Sequence, residues 1–475
     1  MRLKKGILYF SVLLLTSCRI GPTYIPPSPT APLEWKNDPK NTIAIDYYDY
    51  WWEVFKDETL NQLQLQALEN NKNLFAAFER VEQTRYVAAI QKAELYPQLV
   101  LNPVYNNQDS LIRVFNGVLP FQRVHQWLYS FPVRLNYEID LWGRLRDLYE
   151  SALLYWETQV QDYQNTMLIL TSDLATAYFQ MRMADTQVDL LVETIKTRQK
   201  ALNITQARYD AKIVNYSDVS RAGLELTNAE AQYIDAIRER RIFENQIAML
   251  IGEDASDFAL PHNPLKTLPP EIPSGIPSDV LLRRPDIARA ERLMASDHMA
   301  AKAAYASFFP TLTLTGAYGY ESPFLKQFLR KDSRLWRYGA ESEQTLFDGG
   351  RKAYNYELQL RYFAEASYEY QQQILVAFQE VEDALVNIAN YLQEYKKIVQ
   401  SVKWAKTTYN IANDRYLSGV TFYLDVVDAE RDELQVELLE NNLLGLQYLS
   451  TVQLIKALGG GWGSVATENC LTTTP

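Results

Sequence analysis

Three aspartates, Asp218, Asp425 and Asp428, have the type and spacing to do chemistry at a defined place in the chain. Asp218-Val219 returns 207 residues later as Asp425-Val426, each time after a polar break and before an apolar periodic run. A carboxylate there can accept hydrogen bonds from the free amides of a helix start. Asp425 and Asp428 are three apart on one helical face, so they cannot both be the cap, and a second task is open to them. Catalysis is not that task, for no Ser/His/Asp, paired-carboxylate or metal constellation falls in a plausible cleft. His125, His262 and His298 are scattered among neighbours unlike any ligand spacing, which makes them structural or solvated. Gly459-Gly460-Gly461 is followed by no Lys-Ser or Lys-Thr and ends a helical run, so it terminates a helix and holds no phosphate.

The elements that carry the aspartates are duplicated. Gly143-Arg144 returns as Gly350-Arg351, Arg208-Tyr209 as Arg415-Tyr416 and Gly252 as Gly459, always 207 apart. No Gly or Pro falls between Arg144 and Ala222 or between Arg351 and Ser418. Each stretch can therefore run as one helix, about 100 Å long at 1.5 Å per residue. Leu170, Leu174, Ala177, Met181, Ala184, Val188, Leu191 and Ile195 alternate spacings of four and three, and Ala377 to Val402 does so in the same phase. That is a coiled-coil seam. A polar break at Asn215-Tyr216 precedes a second run through Val219, Ala222, Leu226 and Ala229, so each copy is a helical hairpin. Alanines in the seam suit a broad sheet of closely packed helices.

At the N-terminus, Arg2, Lys4 and Lys5 precede an apolar run from Ile7 to Leu15, and Leu15-Thr16-Ser17-Cys18 resembles a bacterial lipobox. The run is too short to span a membrane. The resemblance implies cleavage before Cys18, with an N-acyl and an S-diacylglycerol lipid on that residue as the only covalent additions and no other cofactor. Arg19 stands where an Asp would signal inner-membrane retention, which points to the outer membrane. Loss of the three signal cations takes the formal charge of −11 to about −14, which disfavours nucleic acid as a partner. With Cys18 used, Cys470 remains alone and no internal disulfide can form.

Proline-rich Gly21-Pro22-Thr23-Tyr24-Ile25-Pro26-Pro27 reads as an extended tether. Trp51 opens the first ordered element, and Leu60 to Leu95 reads as one helix before Pro97. A second offset, 213, relates Asn73 to Asp286, Ala77 to Ala290 and Pro97 to Pro310, so six extra residues lie between Pro97 and Gly143. Both segments read as β-hairpins, whose loops absorb such differences. From Phe131 to Leu141 apolar residues, apart from Pro132, take the odd positions, while Arg134, Asn136, Glu138 and Asp140 take even ones; Leu312, Leu314, Tyr318 and Tyr320 alternate likewise. Such aromatic-rich alternation suits a membrane β-barrel, with a half-buried soluble sheet as the alternative. Four strands are too few for a single-chain barrel, so copies of the chain must close it. The organisation is residues 1–17 signal, 18–50 tether, 51–260 first repeat, 261–277 proline-rich linker, 278–462 second repeat and 463–475 tail.

With these pieces placed, the chain resembles the outer-membrane factor family, in the lipoprotein efflux branch of the TolC-like channel-tunnels. The resemblance rests on Gly21-Pro22-Thr23-Tyr24-Ile25-Pro26, Tyr137-Glu138-Ile139-Asp140-Leu141-Trp142-Gly143-Arg144, Pro277-Ser278-Asp279-Val280-Leu281-Leu282-Arg283-Arg284-Pro285-Asp286-Ile287, Thr345-Leu346-Phe347-Asp348-Gly349-Gly350-Arg351, and Arg415-Tyr416-Leu417-Ser418-Gly419 with Asp425-Val426-Val427-Asp428-Ala429. It implies a mainly α fold with a membrane β-barrel. In that fold a homotrimer closes twelve strands into a barrel continued by an α-helical tunnel into the periplasm. It also implies a passive efflux conduit, opened at its periplasmic end by a membrane-fusion adaptor and an inner-membrane pump of the proton-driven RND type, with outer-membrane lipid around the barrel.

Carried over by motif, Asp425 and Asp428 match an acidic pair that narrows the entrance. Tyr416 and Asp218 match a hydrogen-bonding pair between hairpins, with Ser217 and Thr421 alongside. Thr421 is neutral where the family often has a base, which puts a salt-bridge lock in doubt. The tips expected to meet the adaptor are Lys212, Ile213 and Val214, and Ser418, Gly419 and Val420. Lys212 stands where Gly is usual, so contact at the first tip is expected to differ. Two rivals stay open at this point: a periplasmic adaptor lipoprotein would carry one hairpin flanked by Gly-rich lipoyl-like strands, and a structural coiled-coil surface lipoprotein would need no return helices.

Overall fold

Two uninterrupted periodic runs become the two longest elements. The computed structural model describes residues 19–27, 31–32, 34–37, 50–112, 122–273, 275, 277, 281 and 283–460. Helix α3 spans Arg144–Asp210 and α6 spans Arg351–Leu417, 67 residues each. They are answered by the return helices α4, Tyr216–Ile251, and α7, Tyr423–Ala457. Leu170, Leu174, Ala177, Met181, Ala184 and Leu191 of the α3 seam are buried, as are Ala377, Val381, Ala384 and Val402 of α6. Each buried Leu, Val or Met of these seams contributes about 1.5–3 kcal/mol. Cys18 with the signal 1–17, Cys470 with the tail 463–475, and much of the tether lie outside the described residues.

The helix expected from Leu60 to Leu95 is two helices, α1 at Glu58–Asn70 and α2 at Lys72–Ala93. Asn71 between them is extended, with ψ 122°. Its Oδ1 accepts from the Leu74 amide at 3.0 Å and its Nδ2 donates to the Leu250 carbonyl at 2.8 Å. Asn favours such a place because its side chain competes with the helical ladder for backbone partners. The repeat-related helix α5, Pro285–Ala306, follows a similar break at Arg284.

The strands are β1 Gln98–Leu101, β2 Val104–Ile112, β3 Gln122–Ile139, β4 Thr311–Ser322 and β5 Arg334–Glu343. β1 and β2 follow one another along β3 as one interrupted outer strand, and the antiparallel order continues through β4 to β5. Pairing of β3 with β4 joins the two repeats, with Pro132 opposite Gly319. A Cβ at Gly319 would run into the Phe131 carbonyl, so only glycine fits this approach. Opposed residues share a face. One face carries Val133, Leu135 and Tyr137 beside Tyr318 and Leu314, then Trp336, Tyr338 and Ala340; the other carries Arg134, Asn136 and Glu138 beside Thr315 and Thr313, then Arg337 and Glu341.

Contacts divide the described residues into two compact units. The first draws on residues up to 28, 80–159 and 290–370 and holds the sheet. Here the extended segment from Arg19 to Pro27 is docked: Arg19 pairs with Asp147 and Glu150, the Ile20 amide donates to the Trp142 carbonyl, and the Tyr24 hydroxyl donates to Glu291 at 2.7 Å. The second unit draws on residues 29–79, 160–289 and from 371 on. Its core packs Trp51, Trp52, Leu174, Tyr178, Phe179, Ile247 and Tyr448. Its linker is held by Asp185, which is fully buried and receives Arg240 at 2.6 Å, Arg182 at 3.0 Å and the Asn263 amide at 3.0 Å.

Candidate functional site at the hairpin tips

Both helical hairpins turn in the same way. After α3, the Lys212 amide donates to the Tyr209 carbonyl at 2.8 Å and the Ile213 amide to Arg208 at 2.9 Å. After α6, Gly419 bonds Tyr416 at 3.0 Å and Val420 bonds Arg415 at 2.9 Å. This paired closure requires a left-handed residue just beyond the helix. Gly419 supplies it at φ 76°, whereas Lys212 is forced to φ 59°. A side chain in that region costs about 1 kcal/mol relative to glycine. Ile213 and Val420 are 69% and 66% exposed, and Phe422 is 83% exposed, so both tips present apolar side chains to solvent.

The return helices start without side-chain caps, on Asn215 and Phe422. Asp218 and Asp425 are each the third helical residue, where they suit the positive end of the helix dipole without being the cap. The Thr421 hydroxyl donates to Asp425, so two of the expected residues are brought together. Asp428 is exposed and lies 4.0 Å from Arg431. Asp425 and Asp428 thus face solvent from one side of α7.

Tyr416 is 5% exposed and packs with Tyr423, Val426, Val427 and Ala222. Its hydroxyl has no hydrogen-bond partner among the described residues. Asp218 and Ser217 are not joined to it by any hydrogen bond in the single chain, and the Asp218 amide donates to Asn215 at 3.0 Å. Burial, then the nearby carboxylate of Glu430, pushes the Tyr423 phenol well above its ordinary range, so it stays neutral at working pH.

Two features are absent from the sequence reading. Arg208 of α3 donates to the carbonyls of Tyr416 and Leu417 at 3.0 and 2.9 Å and lies 4.5 Å from the Tyr416 ring, closing the orphan end of α6. Its signal was the recurrence of Arg-Tyr at both tips. Farther along α3, the buried Arg198 bonds Glu430 of α7 at 3.1 Å and the Glu225 carbonyl of α4 at 2.7 Å, while Arg431 binds the Glu225 carboxylate at 2.9 Å. Burial raises the Glu430 carboxyl, against the pull of Arg198. The signal there was a charged residue continuing the seam after Leu191 and Ile195.

Among the described residues, no three His, Cys, Asp or Glu side chains are grouped to hold a metal ion, and no helix is long and apolar enough to cross a membrane.

Comparison with known proteins gives a consistent picture. The sequence family described as outer membrane efflux protein matches residues 63–253 and 276–460. The chain is similar to the solvent efflux pump outer membrane protein SrpC of Pseudomonas putida, with 30% identity over 96% of this chain and 98% of that one. It is similar to the outer membrane protein OprJ of Pseudomonas aeruginosa, with 28% identity over 95% and 94%. Its fold matches the crystal structure of the CmeC outer membrane channel of Campylobacter jejuni at a TM-score of 0.87, with 26% identity over 95% and 98% of the two chains.

Proposed function

The chain belongs to the outer membrane efflux protein family, and from that premise we propose how its residues build and gate the channel. Membership makes it the passive outer-membrane component of a Gram-negative efflux pump, served by an adaptor and an inner-membrane transporter and performing no catalysis. The adaptor and surface coiled-coil readings are thereby set aside.

The channel is a homotrimer with a twelve-stranded barrel. One observation carries this: the sheet has an aromatic face and a polar face, and its outer strands β1–β2 and β5 have no further partner among the described residues. Open edges are not tolerated in lipid, whereas three such sheets joined edge to edge leave none. The aromatic face meets lipid and the polar face lines the lumen. Cys18 is acylated and anchors the docked segment that begins at Arg19. The pump is of the RND type, and the tip residues Lys212, Ile213, Val214, Ser418, Gly419 and Val420 meet the adaptor.

The periplasmic entrance is narrowed by Asp425 and Asp428 from three chains. Six carboxylates around one axis repel one another unless water, cations or protons lie between them, so the ring favours cations. Tyr416 and Asp218 form a latch beside Ser217 and Thr421, the unpartnered Tyr416 hydroxyl being the donor that such a latch needs. Native mass measurement and single-channel recording in planar bilayers test the whole reading. A mass of three chains and a cation-selective, mostly closed pore are expected; a monomer without conductance would overturn it.

A further inference from the structure

The 207-residue repeat relates two tyrosine pairs at the tips that fare differently in one chain. Tyr416 and Tyr423 lie with ring centroids 5.2 Å apart and are 5% and 2% exposed. Tyr209 and Tyr216, their repeat counterparts, lie 5.4 Å apart and are 39% and 62% exposed. What covers the first pair is the other hairpin, with Arg208 over the Tyr416 ring and on the carbonyls of Tyr416 and Leu417. The counterpart of Arg208 is Arg415, which is exposed and, among the described residues, has no side-chain partner corresponding to those of Arg208. Each half of a second interface is thus present: a bare tyrosine pair at a helix end whose Tyr209 carbonyl accepts, among the described residues, only the Lys212 turn amide, where the Tyr416 carbonyl accepts both the Gly419 amide and Arg208, and an exposed guanidinium at the matching place on the other hairpin.

We propose that Arg415 of one copy closes the α3 terminus of the next, seating over Tyr209 and donating to the carbonyls of Tyr209 and Asp210. This rests on the homotrimer reading and adds the contact that makes the tips a closed ring of alternating hairpins. The occupant is a second copy of this chain because the template for the contact is the chain's own repeat: a guanidinium whose fork fits two successive carbonyls at a helix end, the first of them shared with the turn amide in both copies. The ring then holds two kinds of Arg-Tyr contact, Arg208 to Tyr416 within a chain and Arg415 to Tyr209 between chains. Only the second kind is interrupted when chains part.

Two measurements on the assembled full-length protein test this. Hydroxyl-radical footprinting of the wild type should find Tyr209 and Tyr216 as protected as Tyr416 and Tyr423, and Arg415→Ala should return them to the rate of the exposed Tyr354. In a Cys470→Ser background, Arg415→Cys with Tyr209→Cys should be joined by a short bismaleimide into covalent trimers, whereas Arg208→Cys with Tyr416→Cys should be joined within single chains. If native mass shows three chains yet Tyr209 reacts freely and the Arg415–Tyr209 pair gives no intermolecular product, the contact is refuted and the trimer stands. If the mass is that of one chain, the trimer reading falls with it.

Discussion

Arg284 Nη1 donates to the carbonyl oxygen of Ala457 at 2.9 Å, and this bond is the repeat image of the one from Asn71 Nδ2 to Leu250 at 2.8 Å. Asn71 and Arg284 are 213 apart, and Leu250 and Ala457 are 207 apart. Each donor occupies a break between helical segments and closes the end of a return helix, so the duplication preserves a contact although the residue type has changed. Arg284 carries more, since it also binds Asp286 at 2.6 Å and Glu380 at 2.6 Å and is almost fully buried. Removing it takes a charged partner from each carboxylate as well as the donor at the helix end.

Arg284→Ala should therefore destabilise the fold by about 2 kcal/mol, as loss of hydrogen bonds between charged groups does, against about 1 kcal/mol for Asn71→Ala, which loses a cap. Thermal denaturation in detergent checks the order. Equal losses would show that the ion pairs around Arg284 add nothing to the shared contact.

At the first tip, Lys212→Gly should relieve the left-handed strain and strengthen the turn by up to about 1 kcal/mol, while Gly419→Ala should weaken the second tip by about as much. Amide exchange at Ile213 and Val420 reads the two turns directly. Faster exchange at Ile213 in Lys212→Gly would mean that the lysine side chain holds the turn through contacts of its own.

The gate separates into a ring and a latch. Asp425→Ala with Asp428→Ala should abolish block by divalent cations and reduce cation selectivity, because the field of a one-sign constriction is gone. Tyr416→Phe with Asp218→Ala should raise conductance and leave selectivity alone. Unchanged selectivity in the first double variant, recorded in bilayers, would move the constriction elsewhere.

Sheet faces can be read by thiol labelling in a Cys470→Ser background. Cysteine at Leu135 or Tyr318 should resist water-soluble maleimide, and cysteine at Asn136 or Thr315 should react. A reversed pattern would place the register one residue off.

The pH dependence has a local source at Asp297 of α5. Burial, then the charges of Glu365 and Glu369, push its carboxyl up to about 6. A folded-state value above the unfolded one favours the neutral acid, so its contribution is full below about pH 4 and is lost as pH rises through about 6. Asp297→Asn should stabilise the protein by about 1 kcal/mol at pH 8 and little at pH 4. Melts at the two pH values decide this, and a gain equal at both would show that charge repulsion is not the cause. Asp185 has the opposite slope: burial opposes ionisation, but the Asn263 amide, Arg240 and Arg182 more than offset it, so its carboxyl lies low and its contribution is lost only as pH falls toward that low value.

What the amino-acid sequence determined by itself was everything local in period. The long helices followed from the spacing of Leu170 to Ile195 and the absence of Gly and Pro, and the β-hairpins from the alternation around Leu135, because backbone geometry repeats every few residues and side chains must follow it. The duplication was legible for the same reason, each copy obeying one pattern. Tertiary structure decided what depends on partners distant in sequence. Asn71 breaks a helix because the Leu250 carbonyl lies within reach, Arg208 serves the end of a helix more than 200 residues away, and the segment after Arg19 docks because Asp147 and Glu291 await it. No periodicity records such pairings, since a hydrogen bond or ion pair needs the meeting of two groups whose separation along the chain is arbitrary.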